Sequence, residues 1–189
     1  MKPNYLTILI TTLCIFFNAC HNSNTAPQLQ LADSLIDKRA DSALCILEKL
    51  SIEEISNKSA KAMYALLLTE ALDKNFKSHR NDSLILIAVD YYKDNSNNKL
   101  KTKAYYYLGR VYQDNKEYIK ATEAYLTALK TASPNQAPIL QIYNNLALCY
   151  ESQEFYLPAI KTYKESYATA EKMQDKYGIL HAIRGLGNV

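Results

Sequence analysis

The histidines, cysteines and acidic residues are the side chains of this sequence that could carry out chemistry, and their spacing decides which chemistry is open to them. The 189 residues include 3 His and 4 Cys. His21, His79 and His181 lie far apart and at no ligand spacing from the cysteines, so we expect no metal site. The tightest acidic pair, Glu53 and Glu54, would point about 100° apart on a helix and does not suit a shared acid–base role.

Motifs of catalysis and cofactor binding are missing from the sequence as well. It has no HExxH motif, no glycine-rich phosphate loop and no serine–histidine–aspartate grouping on a turn. Lys and Arg number 22 against 19 Asp and Glu, a net charge of +3 without a basic block, which does not favour nucleic-acid binding. We predict a protein that is not an enzyme, holds no cofactor or metal, and binds neither nucleic acid nor a small-molecule substrate.

The N-terminus has the pattern of an export signal. Lys2 precedes the apolar run YLTILITTLCIFF, which has the length of a signal-peptide core and is short for a membrane span. The run ends in FNAC at residues 17–20, which resembles the lipobox of bacterial lipoproteins. This resemblance implies a signal peptide over residues 1–19 and a lipid, palmitate included, attached to Cys20. Cleavage by ordinary signal peptidase and an uncleaved anchor are the alternatives.

A polar segment follows the signal and predicts the location of the protein. Residues 20–28 lack hydrophobic periodicity, as a flexible tether would. No acidic cluster follows Cys20, whereas such a cluster resembles a surface-export signal in lipoproteins of Bacteroidota-like bacteria. We therefore expect an exported protein, anchored by its lipid in the bacterial cell envelope, in the outer membrane and facing the periplasm.

Two cysteines lie beyond the signal and the lipid site. Cys45 and Cys149 fall in apolar helical patterns that are separated by several helix layers of about 8–10 Å each. A disulfide requires Cα atoms within about 7 Å of each other. We expect two free, buried thiols that pack as small hydrophobic side chains.

The helices that must position any binding residue appear as an internal repeat. Residues 105–132 align with residues 143–170 at a constant offset of 38. The matched positions are Tyr105 and Tyr143, Leu108 and Leu146, Gly109 and Ala147, Tyr112 and Tyr150, Ala121 and Ala159, and Tyr125 and Tyr163. This pattern resembles the tetratricopeptide repeat (TPR) family, as found in bacterial TPR lipoproteins of Bacteroidota type. The resemblance implies an all-α fold, a right-handed superhelical α-solenoid of helix hairpins.

The repeat pattern divides the rest of the chain. Residues 102–135 and 138–173 are the clear repeats, and residues 29–101 read as degenerate TPR-like helical hairpins in which Tyr64 aligns with Tyr105. Asp41 and Asp82, each before an apolar run, are predicted helix N-caps. Residues 176–189 match the first helix of a further repeat and stop before its expected tyrosine. We expect a solenoid that is truncated at its C-terminus, as part of a longer protein.

Candidate binding residues follow from the TPR resemblance. In TPR proteins the first helices line a concave groove, and ligand contacts come from the second, fifth, ninth and twelfth repeat positions. Carried onto this sequence, these positions are Lys103, Tyr106, Arg110, Gln113, Gln141, Asn144, Leu148, Glu151, His181, Arg184 and Asn188. The mixture of cations and amides could hold an extended peptide through its carboxylates and backbone.

The run of three tyrosines at 105–107 divides by helical geometry. Successive residues turn about 100°, so the three rings cannot share one face. Tyr105 is expected in the repeat core and Tyr106 in the groove. Tyr107 is expected to face the neighbouring hairpin or the convex side, with a hydrated hydroxyl group.

These observations predict a lipid-anchored cell-envelope scaffold that binds a protein or peptide partner through its concave face. A second hypothesis makes the chain the N-terminal sensory part of a longer membrane-bound regulator, with a transmembrane helix and a helix-turn-helix output region beyond Val189. A third is an accessory subunit of a nutrient-uptake complex at the outer membrane.

Overall fold

The computed structural model describes residues 25–79, 81–134 and 138–189. Within these ranges it contains α-helices and no strands: α1 Thr25–Leu35, α2 Ala40–Leu47, α3 Lys58–Lys74, α4 Ser83–Tyr92, α5 Asn98–Asp114, α6 Tyr118–Thr131, α7 Pro138–Ser152, α8 Tyr156–Met173 and α9 Lys176–Asn188. No helix in these three ranges combines the length and the apolar character that crossing a membrane requires. The predicted signal peptide and Cys20 lie outside the described residues.

The first helix begins earlier than the sequence indicates. Thr25–Gln28, placed in the predicted tether, form the first turn of α1. Pro27 is compatible with this turn because the first N–H groups of a helix have no intrahelical acceptor to lose. Leu29 and Ala32 are the buried residues of α1, where the helix packs against its neighbours.

The helices are arranged in two layers. Each helix packs against the next one in the chain. Contacts also join α1 to α3, α3 to α5, α5 to α7 and α7 to α9, whereas no two even-numbered helices touch among the described residues. The odd-numbered helices therefore form one continuous layer, and the even-numbered helices cover it from the other side. This arrangement confirms the predicted all-α, TPR-like solenoid.

The matched positions of the repeat occupy the core. Leu146 is 2% exposed, and Ala121 and Ala159 are fully buried where the helices of a hairpin meet. Tyr125 is also fully buried, and its hydroxyl donates a hydrogen bond to Gln113 Oε1 at 2.8 Å. Tyr163 and Glu151 form the equivalent hydrogen bond in the next hairpin. The offset of 38 therefore reproduces a polar contact as well as the apolar packing.

Three of the odd-numbered helices end in the same left-handed turn. Phe76, Lys116 and Glu154 have φ angles of 55°, 62° and 61°. In each case the next residue donates its backbone N–H to a carbonyl five residues earlier, at 3.0 Å from Lys77, 2.8 Å from Glu117 and 2.9 Å from Phe155. These bonds resemble those of the Schellman motif, which satisfies the last carbonyls of a helix. The turn is therefore a repeated element of this fold.

Of the two predicted N-caps, Asp82 occupies the N-cap position and Asp41 does not, and neither side chain makes a capping hydrogen bond. Asp41 lies inside the first turn of α2, and Asp82 precedes α4 without a capping hydrogen bond. The Asp82 carboxylate instead accepts a hydrogen bond from the Tyr112 hydroxyl at 3.0 Å, because the end of α5 lies beside it. Asn57, Asn97 and Asp175 are N-cap residues whose side chains accept hydrogen bonds from first-turn N–H groups, and Asn81 Oδ1 accepts one from the Ser83 N–H at 3.1 Å.

The expectation for the cysteines is half correct. Both Cys45 and Cys149 are free, and Cys149 is buried, but Cys45 is exposed. Helix α2 buries Leu44 and Leu47 against its neighbours, and the residue after Leu44 points about 100° away from that stripe.

Candidate functional site

An open cavity of about 600 Å³ runs across the layer of odd-numbered helices. We call it the groove. Its walls come from α3, α5, α7 and α9, from the turn after α3 and from the residue that precedes α9. The lining residues are Asp73, Lys74, Phe76, Tyr106, Arg110, Leu140, Gln141, Asn144, Asn145, Asp175, Tyr177, Gly178 and His181.

Five of the residues proposed from the repeat register lie in this lining. They are Tyr106, Arg110, Gln141, Asn144 and His181. The five residues meet because α5, α7 and α9 pack side by side in the odd-numbered layer.

The other candidates have different surroundings. Gln113 accepts hydrogen bonds from Tyr125 and from Arg110, and Glu151 accepts one from Tyr163, so both are structural groups of a hairpin. Lys103 Nζ lies 2.5 Å from Glu70 Oε2. The exposed residues Leu148, Arg184 and Asn188 do not contribute to the groove.

Carboxylates of the same chain already pair with the cations in and beside the groove. Arg110 Nε donates to Asp73 Oδ1 at 2.8 Å. Lys74 Nζ lies 2.5 Å from Asp37 Oδ1 and 3.1 Å from Glu70 Oε1. Burial is the largest single effect and opposes the charge of the Arg110 guanidinium, but the Asp73 carboxylate together with Tyr125 and Tyr106 outweighs it and raises the pKa of Arg110. Lys103 and Arg110 therefore already have carboxylate partners within the fold, and a peptide carboxylate would have to compete with Glu70 and Asp73 for them.

Side-chain amides form the polar part of the groove. Asn145 Nδ2 donates to the Tyr106 hydroxyl at 3.3 Å, and Asn144 Oδ1 accepts from Ser166 at 3.0 Å. Each of these amides keeps its other polar atom free of hydrogen bonds to the described part of the chain. Gln141 is exposed and has no side-chain hydrogen bond within those same residues. An extended backbone requires alternating donors and acceptors, which side-chain amides supply.

Two exposed aromatic side chains stand in the lining. Phe76, in the left-handed turn after α3, is 99% exposed, and Tyr177, in the first turn of α9, is 81% exposed. Phe76 and Tyr177 belong to different hairpins and lie at different ends of the groove. Large apolar side chains that stay in water at a cavity rim can contribute strongly to binding when a partner covers them.

The three tyrosines at 105–107 have partly unexpected surroundings. Tyr106 lines the groove as predicted, and burial raises its pKa to about 12. Tyr107 is only 5% exposed, and its ring meets that of Tyr106 edge to face at 5.0 Å. The prediction of a hydrated Tyr107 hydroxyl is wrong, because α3 packs over it and brings Glu70 beside it. Burial first, and then the Glu70 carboxylate, raise the pKa of Tyr107 well above its ordinary value.

The sequence-based register assigned groove positions to α5, α7 and α9 only, and its alignment of α3 is shifted by one residue. Alignment of Tyr64 with Tyr105 implies an offset of 41, whereas the left-handed turns place Phe76 on Lys116, an offset of 40. One residue rotates a helix by about 100°. In the structural register Glu70 corresponds to Arg110. Asn75 and Asn115, which precede the two turn residues, are the sequence signal that could have corrected it.

Comparison with known proteins agrees with the geometry. Residues 101–172 match the sequence model described as tetratricopeptide repeat. The fold is similar to the crystal structure of MamA protein, with a TM-score of 0.53 and 22% sequence identity over 81% of this chain and 76% of that chain. No curated protein sequence matches the chain. These similarities establish the TPR-like fold.

Proposed function

We propose that this chain is a lipid-anchored scaffold of the bacterial cell envelope, and that it binds an extended segment of a partner protein in the groove. The observation that carries this proposal is the groove itself, about 600 Å³ of open space across four successive odd-numbered helices. A TPR-like solenoid with a matching repeat at residues 101–172 supports a protein as the partner.

The chemistry of the groove favours one mode of recognition. Side-chain amides of Gln141, Asn144 and Asn145 can pair with the backbone of a peptide in any sequence, because every residue presents a carbonyl and almost every residue an N–H. Phe76 and Tyr177 can then cover apolar side chains of that peptide. Since the groove cations are paired internally, the partner segment needs no acidic residues.

Replacement of the two exposed aromatics is expected to abolish partner binding without unfolding the protein. The Phe76→Asn, Tyr177→Asn double variant removes apolar surface that faces water in the free protein, so its thermal midpoint should stay close to the parent value. Asparagine also tolerates the left-handed conformation at position 76. Photo-crosslinking from position 141 in envelope preparations should yield one dominant adduct, reduced at least tenfold in the double variant.

The matched control is the Ile119→Asn, Leu157→Asn double variant. These side chains are 69% and 81% exposed, and neither lines the groove. Their replacement removes a comparable apolar area, so the adduct should persist. An adduct that both double variants reduce equally, or that forms as well from Lys164 on α8, would contradict binding in the groove.

Replacement of Cys20 tests the anchor separately. Cys20→Ser removes the thiol that would carry the lipid. Because stable membrane attachment requires an acyl chain plus a second signal, the variant lacks what would hold it at the membrane. We expect the protein to move from the membrane fraction to the soluble fraction, with Cys45→Ser as the control that stays behind. Retention of the Cys20→Ser variant in the membrane would contradict lipid anchoring and leave groove binding to the crosslinking result.

A further inference from the structure

We propose that Asp73, His79 and Asp114 form a binding site for a first-row divalent cation such as Zn²⁺. We call these residues the His79 cluster. His79 Nε2 lies 3.9 Å from Asp73 Oδ1 and 3.7 Å from Asp114 Oδ2, and the ligand atoms of all three residues lie within 4.8 Å of one another. The residues come from the end of α3, the turn after it and the end of α5, so the fold brings together groups that the sequence separates.

The imidazole of His79 is the observation that points to a ligand. The residue is 5% exposed, and its Nε2 atom has no hydrogen-bond partner in the described structure. The two carboxylate oxygens lie beyond hydrogen-bond distance, because a normal N–H···O contact measures about 2.7–3.2 Å. A buried polar atom without a partner destabilises the fold, because the desolvation of that atom is not compensated. A metal ion between the imidazole and the carboxylates would supply that partner.

The spacing of the cluster fits metal coordination. Zinc binds histidine nitrogen and carboxylate oxygen at about 2.0–2.2 Å, which places neighbouring ligand atoms of a tetrahedral site about 3.4 Å apart. The two distances from His79 Nε2 exceed this value by a few tenths of an ångström, and all three ligand atoms lie within 4.8 Å of one another, so side-chain rotations must bring them closer around an ion. One imidazole with two carboxylates is a ligand set for zinc and its first-row neighbours. Three protein ligands leave a fourth position for water.

Arg110 is compatible with a bound cation. Its Nε donates to Asp73 Oδ1, and its Nη2 lies 3.7 Å from Asp114 Oδ1. Two carboxylates and one guanidinium leave one net negative charge, so a divalent cation is attracted to the cluster. Hydrogen bonds of this kind to a ligating carboxylate orient it toward the metal.

The cluster is open to solvent on one side. A second cavity of about 320 Å³ is lined by Asp73, Arg110, Asp114 and the turn residues Phe76, Lys77 and Ser78. The Asp114 side chain is 28% exposed. An ion can therefore reach the carboxylates from bulk water, while the imidazole closes the opposite side.

Zinc titration of the purified full-length chain tests the site. Surface thiols are first blocked with iodoacetamide, because thiolates bind zinc themselves. We expect one equivalent of Zn²⁺ by calorimetry and a rise in thermal midpoint on saturation. His79→Gln and Asp114→Asn should each weaken the dissociation constant at least tenfold and remove the thermal shift.

Two matched variants keep the test decisive. His181→Gln removes an exposed imidazole, and Asp90→Asn an exposed carboxylate, neither of which belongs to the cluster. Both should bind zinc like the parent chain. Asp114→Asn changes a partly exposed side chain at a helix end, so it should fold even if His79→Gln does not. Zinc affinity that is unchanged by Asp114→Asn, or a parent chain without a stoichiometric site, would show that the cluster is an ion-pair network only.

Discussion

Replacement of Glu70 by alanine is expected to lower the free energy of unfolding by about 3 kcal/mol. Glu70 is 2% exposed, and its carboxylate lies between Lys103 of α5 and Lys74 of α3, at 2.5 and 3.1 Å. Removal of one partner of a buried ion pair costs about 3–5 kcal/mol, because a charge is left without compensation. The lysine side chains are 23% and 30% exposed, so water can partly replace the carboxylate. This places the cost at the lower end of the range.

Urea unfolding of the parent chain, Glu70→Ala and Glu48→Ala measures this effect. Glu48 is the matched control, since its carboxylate lies 3.0 Å from Lys77 Nζ but both side chains are about half exposed. A surface pair of this kind contributes about 0–1 kcal/mol. Equal losses in the two variants would show that burial of Glu70 has no special energetic role. In that case Glu70 would not hold the Lys103 ammonium group firmly, and Lys103 would be available for the partner binding that the repeat register predicts for it.

Replacement of Gly109 by valine is expected to destabilise the protein by about 2–3 kcal/mol. A Cβ atom built at Gly109 would lie 2.4 Å from Cε1 and 2.6 Å from Cδ1 of Tyr125. The Tyr125 ring is fully buried and is held by the hydrogen bond from its hydroxyl to Gln113, so it cannot move aside cheaply. Overpacking of a core costs about 1–3 kcal/mol, and loss of this hydrogen bond would add to it.

The glycine at the corresponding position of α9 is the matched control. Gly187 also lies in a helix and aligns with Gly109, but a Cβ atom there would meet no atom within 4 Å. We expect Gly187→Val to change the free energy of unfolding by no more than about 0.5 kcal/mol, as at other surface sites. Thermal and urea unfolding of both variants give the comparison. A stable Gly109→Val protein would show that α5 and α6 can separate locally.

The fold was predictable because its packing contacts repeat. The positions of Leu108, Tyr125 and Ala121 recur 38 residues later, and side chains that pack a hairpin must recur wherever the hairpin does. The second helices accordingly begin at equivalent positions, Tyr118 and Tyr156, which are also 38 residues apart. The repeat register also placed Tyr106, Arg110 and Asn144 on the odd-numbered layer that forms the groove.

The degenerate first half was less predictable because fewer of its positions repeat. Without the Leu–Gly and Ala–aromatic pairs of the later hairpins, Tyr64 was the main guide to α3, and it gave an offset of 41 instead of 40. The consequence was functional as well as structural. Asp73 and Phe76 line the groove and Glu70 pairs with Lys74 of its lining, yet the sequence-based prediction assigned no residue of α3 or of the turn after it to the groove.

By itself, the sequence determined the helical repeat, the order of its hairpins and the face that five of the groove residues share, since these depend on periodicity along one helix. Only the tertiary structure decided the chemistry of that face. It paired Arg110 with Asp73 and Lys103 with Glu70, and it gathered the His79 cluster from three segments. All of these contacts except the one between Asp73 and His79 join residues more than 30 positions apart. Their partners are set by how neighbouring hairpins pack, which no spacing within a single helix encodes.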